Sequence, residues 1–372
     1  MTALKGRALA GWARLLSDQP LFLRLTGPQL AAVLGVGLPT LALSLGLWVV
    51  KRNVPIWDDG AAVLVERLPL TIDTLLAPFH EHLDAVPIFL WSLNQTPAVL
   101  LALLLATHVV LATGTALFLT VRLGPRPGFA FALPLGLLGS AHYDLLMPWQ
   151  ILYTIPLLCG LVATWLSTAE HASWPRVATV GILMAIAVAS SNAGLFLVGA
   201  LGLWYLFTGR WRLIVGLAPV LVLWGLWFLE LGIHGSGGDG GFAITPNIVP
   251  YTAVGLTAGV GGLTGLGKTY GAAILAAGVL WVIERRPRPD PALASFAIAI
   301  VVMFMALSLF RSAQTVEYSD ASRYIYIDGF FLAFGLGASR IRIPDWRWLV
   351  PLAGAAAALN LGILQRAWQY YP

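Results

Sequence analysis

Long apolar runs, separated by a few charged or turn-forming residues, constrain this chain more than any motif in it. A membrane-spanning helix needs about 20 mostly apolar residues, within a range of about 17–25. Eleven segments meet or approach that length: 29–50, 93–121, 128–143, 149–167, 177–191, 193–208, 213–230, 270–283, 292–310, 325–338 and 348–365. Of 372 residues, 58% are hydrophobic and 10% charged, whereas a soluble domain carries about 25% charged residues. A soluble enzyme, a disordered chain and a secreted disulfide scaffold are all excluded. The single cysteine, Cys159, lies in an apolar run and has no internal partner. The expected fold class is all-α, a polytopic transmembrane helix bundle of eleven spans. Several segments are short, and a short or broken span survives only where protein or a water-filled cavity covers its backbone.

Residues 1–28 are expected to form a cytoplasmic segment ahead of one transmembrane domain, 29–372. They contain Lys5, Arg7, Arg14 and Arg24 without the compact apolar core of a cleavable signal peptide. Gly11 to Leu25 reads as an amphipathic helix on the membrane surface. With the N-terminus inside, fifteen of the 22 Lys+Arg fall in inside connections and seven outside. Five of the 17 Asp+Glu fall inside and twelve outside. Positive residues favour the cytoplasmic side, so this split sets the orientation and places the C-terminus outside. The location implied is a plasma membrane of bacterial inner type. No basic stripe alternates with aromatics, so nucleic acid is not an expected partner.

The inside connections are short and basic. The outside ones hold nearly every unusual polar residue. The first, 51–92, carries Asp58, Asp59, Glu66, Asp73, His80, Glu81, His82 and Asp84. Two adjacent carboxylates repel, which raises one pKa toward the range of a general base. Ala61 to Pro78 reads as an interfacial amphipathic helix leading to the His-Glu-His stretch. His80 and His82 could ligate a divalent metal, but H-x-H alone is a weak ligand signal, and hydrogen bonding to a substrate is the preferred reading. Further outside turns hold Tyr143 and Asp144, Trp149 and Gln150, and Ser190 to Asn192. A Gly-rich external loop over 231–269 holds His234, Asp239 and Lys268, and a late loop over 311–324 holds Arg323, with Tyr324 at its end. Charged groups near membrane depth are costly and mark sites or pathways, so their gathering on one side predicts one outward-facing site.

Gly262 to Thr269 fits the phosphate-loop pattern G-x-x-x-x-G-K-[ST]. That loop must join a strand to a helix, and no such context exists here. The preferred reading is a Gly-rich connection opening a membrane helix; Lys268 with nearby N–H groups could instead hold a lipid phosphate. Asn94-Gln95-Thr96 fits a glycosylation pattern but abuts a span.

On these residues the chain resembles the GT-C class of polytopic membrane glycosyltransferases. Asp58-Asp59 matches that family's acidic pair after the first span, and Ala61 to Pro78 its interfacial helix. His80-Glu81-His82-Leu83 resembles the segment before its second span, and Ser322-Arg323-Tyr324 an element of its last external loop. The resemblance implies sugar transfer from a polyprenyl-phosphate donor to an acceptor hydroxyl on a glycan, lipid or protein, with inversion. Asp58 or Asp59 would be the base. Arg323 and Lys268 would neutralise the departing phosphate, and Trp57, Trp149 and Tyr324 would stack on sugars. His80, Glu81, His82, Tyr143, Asp144 and Gln150 complete the expected substrate site. No metal or other cofactor is required. The family's soluble C-terminal domain has no counterpart after the last span, so acceptor recognition is expected of the membrane part.

Rival expectations are a transporter or lipid flippase, a non-catalytic membrane subunit, and a polymerase or ligase of lipid-linked glycans. A transporter would place ionisable residues near the bilayer midplane, often in repeated halves. No repeat is evident, and Asp328 is the nearest candidate.

Overall fold

A computed structural model describes residues 25–52, 69–78, 82–93, 96–234, 247–285, 288–311, 319, 322–343 and 346–370. The architecture is all-helical, with no strand among the described residues. In chain order the helices are α1 (Gly27–Lys51), α2 (Ile72–Leu76), α3 (Ala85–Leu93), α4 (Pro97–Leu123), α5 (Pro125–Gly136), α6 (His142–Leu146), α7 (Ile151–Ser167), α8 (Trp174–Val188) and α9 (Asn192–Phe207). They continue as α10 (Trp211–Glu230), α11 (Ile248–Thr264), α12 (Lys268–Arg285), α13 (Pro291–Arg311), α14 (Ser322–Ala338) and α15 (Leu349–Tyr370).

All eleven predicted segments fall on helix, but they do not make eleven plain spans. Seven helical stretches are long and apolar enough to cross a membrane, or eight if the bent pair α11–α12 is one span. The chain therefore reads as a multi-pass membrane protein. Three differences from the sequence expectation have physical causes. The span predicted from 93 begins at Pro97, because Pro suits the first helical turn and disfavours helix in the residue before it; α3 is a separate short helix ahead of it. The span predicted over 128–143 is broken: α5 ends at Gly136 and gives way to a 3-10 turn at Gly139–Ala141. The predicted Gly-rich loop 231–269 contains α11. Glycine disfavours helix in water, but between membrane helices it lets partners approach. Gly255, Gly259 and Gly262 meet Phe304, Asp328 and Ile325.

α14 lies at the centre, packed against α4, α7, α11 and α13 and buried over most of its length. Its aromatics interlock with α13: Phe296 meets Phe331 edge-on, with ring centroids 6.0 Å apart. α1 and α5 flank α4 on one side, and α7, α8 and α9 form a second group. The pair α8–α9 is short. Fifteen residues rise about 22 Å against a hydrocarbon core of about 30 Å. The first turn of α3 meets the α8–α9 turn, where the Val86 N–H donates to the Ala189 carbonyl at 3.0 Å.

The α11–α12 bend of 101° is built on Gly265 and Gly267, both with positive φ (72° and 79°). The Gly265 and Leu266 N–H groups close the helix end onto the Gly262 and Gly261 carbonyls, each at 3.0 Å, a Schellman-type stop. The G-x-x-x-x-G-K-[ST] residues thus form a helix–turn–helix corner, and no strand precedes them.

Candidate functional site

Residues from three of the segments predicted to lie outside, His82, Asn192 and Tyr324, meet at one end of the bundle. His82 comes from the residues before α3, Tyr153 from the start of α7, Asn192 from the start of α9, and Tyr324 from the start of α14. With Met303 and Leu307 of α13 they line a cavity of about 20 Å³, room for about one water. Tyr324 is buried against Phe304, at 6.0 Å between centroids. The Arg323 guanidinium stands 5.3 Å from the Tyr324 ring, so a cation lies beside the cavity. Asp84 and Asp144 are fully buried, and both are engaged with neighbouring groups.

Of the predicted site residues, His82 and Tyr324 are brought together. Tyr143, Asp144, Trp149 and Gln150 lie in the broken connection between α5 and α7, and all but the half-buried Tyr143 are buried. Trp149 packs edge-on against Trp91 at 4.7 Å, so its ring contacts protein. Lys268 stands exposed at the start of α12 and does not line the His82 cavity. Asp58, Asp59, His80 and Glu81 lie outside the described residues, as do residues 1–24, 61–68 of the interfacial helix, and Asp239. The described remainder of that helix is α2, capped by Thr71 and tied to α10 by a 2.8 Å bond from Trp227 Nε1 to the Leu76 carbonyl. Among the described residues no group of three or more His, Cys, Asp or Glu could hold a metal ion.

Sequence reasoning missed a buried polar cluster deeper in the bundle. His108, midway along α4, is buried. Its Nε2 lies 3.2 Å from the Gly136 carbonyl and its Nδ1 2.7 Å from the Tyr326 hydroxyl. A carbonyl only accepts, so Nε2 carries the proton and Nδ1 accepts from Tyr326. The Gly136 carbonyl is one of those orphaned where α5 stops. Four residues on, the Ser140 N–H donates to Asn360 Oδ1 at 3.0 Å, and Asn360 Nδ2 donates to the Gly262 carbonyl at 3.2 Å. His108 and Asn360 thus satisfy the backbone that the helix break exposes. The signal was present: a lone His in an apolar run of α4, and a lone Asn in the Ala-rich α15. A further group, Asp328, is 2% exposed, and neither carboxyl oxygen has a hydrogen-bond partner among the described residues. It packs on the backbone at Gly259.

Two larger concavities lie elsewhere among the described residues. An apolar groove of about 420 Å³ runs between α5, α11, α14 and α15, lined among others by Pro134, Leu263, Gly329, Leu336, Leu352 and Ala356. A polar cavity of about 330 Å³ lies at the end of the bundle that carries Arg122, Arg210 and Arg340. Comparison with protein-family models, with curated proteins and with solved structures finds no match in any of the three.

Proposed function

We propose that the protein is a membrane glycosyltransferase that moves a sugar from a polyprenyl-phosphate donor to an acceptor hydroxyl on the external face. The observation that carries the reading is the meeting, in one cavity beside Arg323, of His82 from the first predicted outer loop with Tyr324 from the last. The apolar groove supports it, since it offers a lipid chain a path between helices. In the reaction, Asp58 or Asp59 takes the proton of the acceptor hydroxyl while its oxygen attacks the anomeric carbon. The bond from that carbon to the phosphate oxygen breaks, the configuration inverts, and polyprenyl phosphate leaves. Arg323 and Lys268 are the cations assigned to the charge gathering on the leaving phosphate. No step needs a metal.

The test uses purified protein and its Asp58→Asn and Asp59→Asn variants, with release of polyprenyl phosphate measured over a panel of lipid-phosphate sugars. A general base contributes about 10²–10⁴-fold, so one variant is expected to lose at least about a hundredfold. Full turnover by both, with normal folding, refutes the acid-pair mechanism.

A second reading, a transporter of a lipid-linked or small polar substrate, is favoured by one observation. Asp328 is an ionisable group buried among helices without a hydrogen-bond partner among the described residues, next to the bent pair α11–α12, as in transporters with interrupted helices. Substrate movement in proteoliposomes that Asp328→Asn abolishes, without any sugar transfer by the unaltered protein, would decide for it.

A further inference from the structure

Five connections that are distant in sequence meet at the basic end of the bundle. They bring Arg122 from the end of α4, Thr168 after α7, Arg210 between α9 and α10, Asp290 before α13, and Arg340 after α14 around the cavity of about 330 Å³. That volume falls within the range of about 300–1,000 Å³ found for small-ligand sites.

Two of the three guanidiniums are positioned, Arg122 by backbone and Arg210 by backbone and an aromatic ring, and none of the three is paired with a carboxylate among the described residues. Arg122 Nε donates to the Gly337 carbonyl at 2.9 Å. Arg210 donates to the Ser167 carbonyl and lies 5.4 Å from the Trp204 ring centroid. Among the described residues the one carboxylate lining the cavity, Asp290, is committed elsewhere. Its Oδ1 accepts from the Ala292 and Leu293 N–H groups at 2.9 and 3.3 Å, capping α13, and its Oδ2 accepts from the Arg340 backbone N–H at 2.9 Å. Arg340 acts electrostatically on both of the other cations. Burial, and then the Arg340 charge, hold the Arg210 guanidinium below its usual value, against the opposite pull of Tyr205 and Glu170. A guanidinium has five N–H donors, so most remain for a ligand.

Like charges held around a concavity carry a Coulomb cost that a bound anion removes. The planar fork of Arg suits phosphate oxygens, and basic pockets between membrane helices suit anionic head groups. We propose that Arg122, Arg210 and Arg340 form a binding site for a phosphate-bearing anion at the basic end of the bundle, separate from the site at the opposite end. The site is independent of the transferase reading.

The probes are phosphatidylglycerol, against phosphatidylcholine, for a lipid head group, and inorganic pyrophosphate for a soluble phosphate. Lipid retention is read by native mass spectrometry of the purified full chain, and pyrophosphate binding by its shift of the melting midpoint. Among the described residues the Arg340 side chain makes no hydrogen bond, so Arg340→Gln should fold. Arg342→Gln removes the same charge from an exposed residue outside the cavity lining. Preferential phosphatidylglycerol retention that falls about tenfold in Arg340→Gln, and not in Arg342→Gln, establishes the site with a lipid source. A pyrophosphate-induced rise in midpoint, lost only in Arg340→Gln and without lipid preference, establishes it with a soluble source. If neither probe separates Arg340→Gln from the unaltered protein, or if Arg342→Gln loses as much, the site is refuted and only diffuse surface charge remains.

Discussion

Replacing Asn360 by leucine should unpick the helix break that shapes the middle of the bundle. Asn360 is fully buried, and its side chain faces the 3-10 turn after α5 and the last turn of α11. The Ser140 N–H has one bond, to Asn360 Oδ1 at 3.0 Å, because the Gly136 carbonyl it would meet in a continuous helix is held by His108. Leucine keeps the branched shape of asparagine and is bulkier, so no cavity forms and any crowding adds to the loss. It cannot remove the backbone N–H, which is left buried and unsatisfied at a cost of about 1–3 kcal/mol. The bonds from Asn360 Nδ2 to the Gly262 and Leu263 carbonyls, at 3.2 and 3.4 Å, add about 0.6 kcal/mol each on the average for interhelical bonds in membranes. The Gly262 carbonyl keeps a possible donor, since the Ser140 hydroxyl lies 2.7 Å away. The expected total is about 2–4 kcal/mol. Cys159, the single cysteine, is buried, so a thiol-reactive fluorophore reads thermal unfolding in detergent without further engineering. Asn360→Leu should lower the midpoint clearly. Ser140→Ala, which leaves the Ser140 N–H on Asn360, should lower it less. Equal midpoints for Asn360→Leu and the unaltered protein, or the reverse order of the two variants, would refute this account of the break.

Gly139→Ala should strain the same junction, because an added Cβ would overlap the Asn360 backbone carbonyl and crowd the Leu364 nitrogen. Backbone cannot rotate away, and the forced separation of α15 should cost about 1–3 kcal/mol or more; the same thiol melt, with size-exclusion profiles, checks it. A reporter fused after Pro372 should read as external, and a cytoplasmic reading would remove the proposed orientation.

How far the site could be read from the chain differed from residue to residue. His82 and Tyr324 were marked in the sequence as unusual polar or aromatic residues at the ends of apolar runs, and they share a cavity. Trp149 carried the same signal, yet its ring is spent on Trp91. A sequence tells that an aromatic sits near an end, not which neighbour takes its edge. His108 and Asn360 gave a signal of the opposite kind, single polar groups in apolar runs. Their role needed the knowledge that α5 stops at Gly136, and no local preference enforces that stop alone.

The sequence by itself determined the all-helical class and the positions of the apolar segments. These follow from the cost of placing backbone and charge in hydrocarbon, which acts on each segment separately. Tertiary structure decided where helices break, that a Gly-rich stretch is the helix α11, and that Arg122, Arg210 and Arg340 surround one cavity. Those outcomes depend on partners distant in the chain. A broken helix is stable only when another helix supplies the missing hydrogen bonds, and glycine favours helix only when a neighbour packs into the space it leaves.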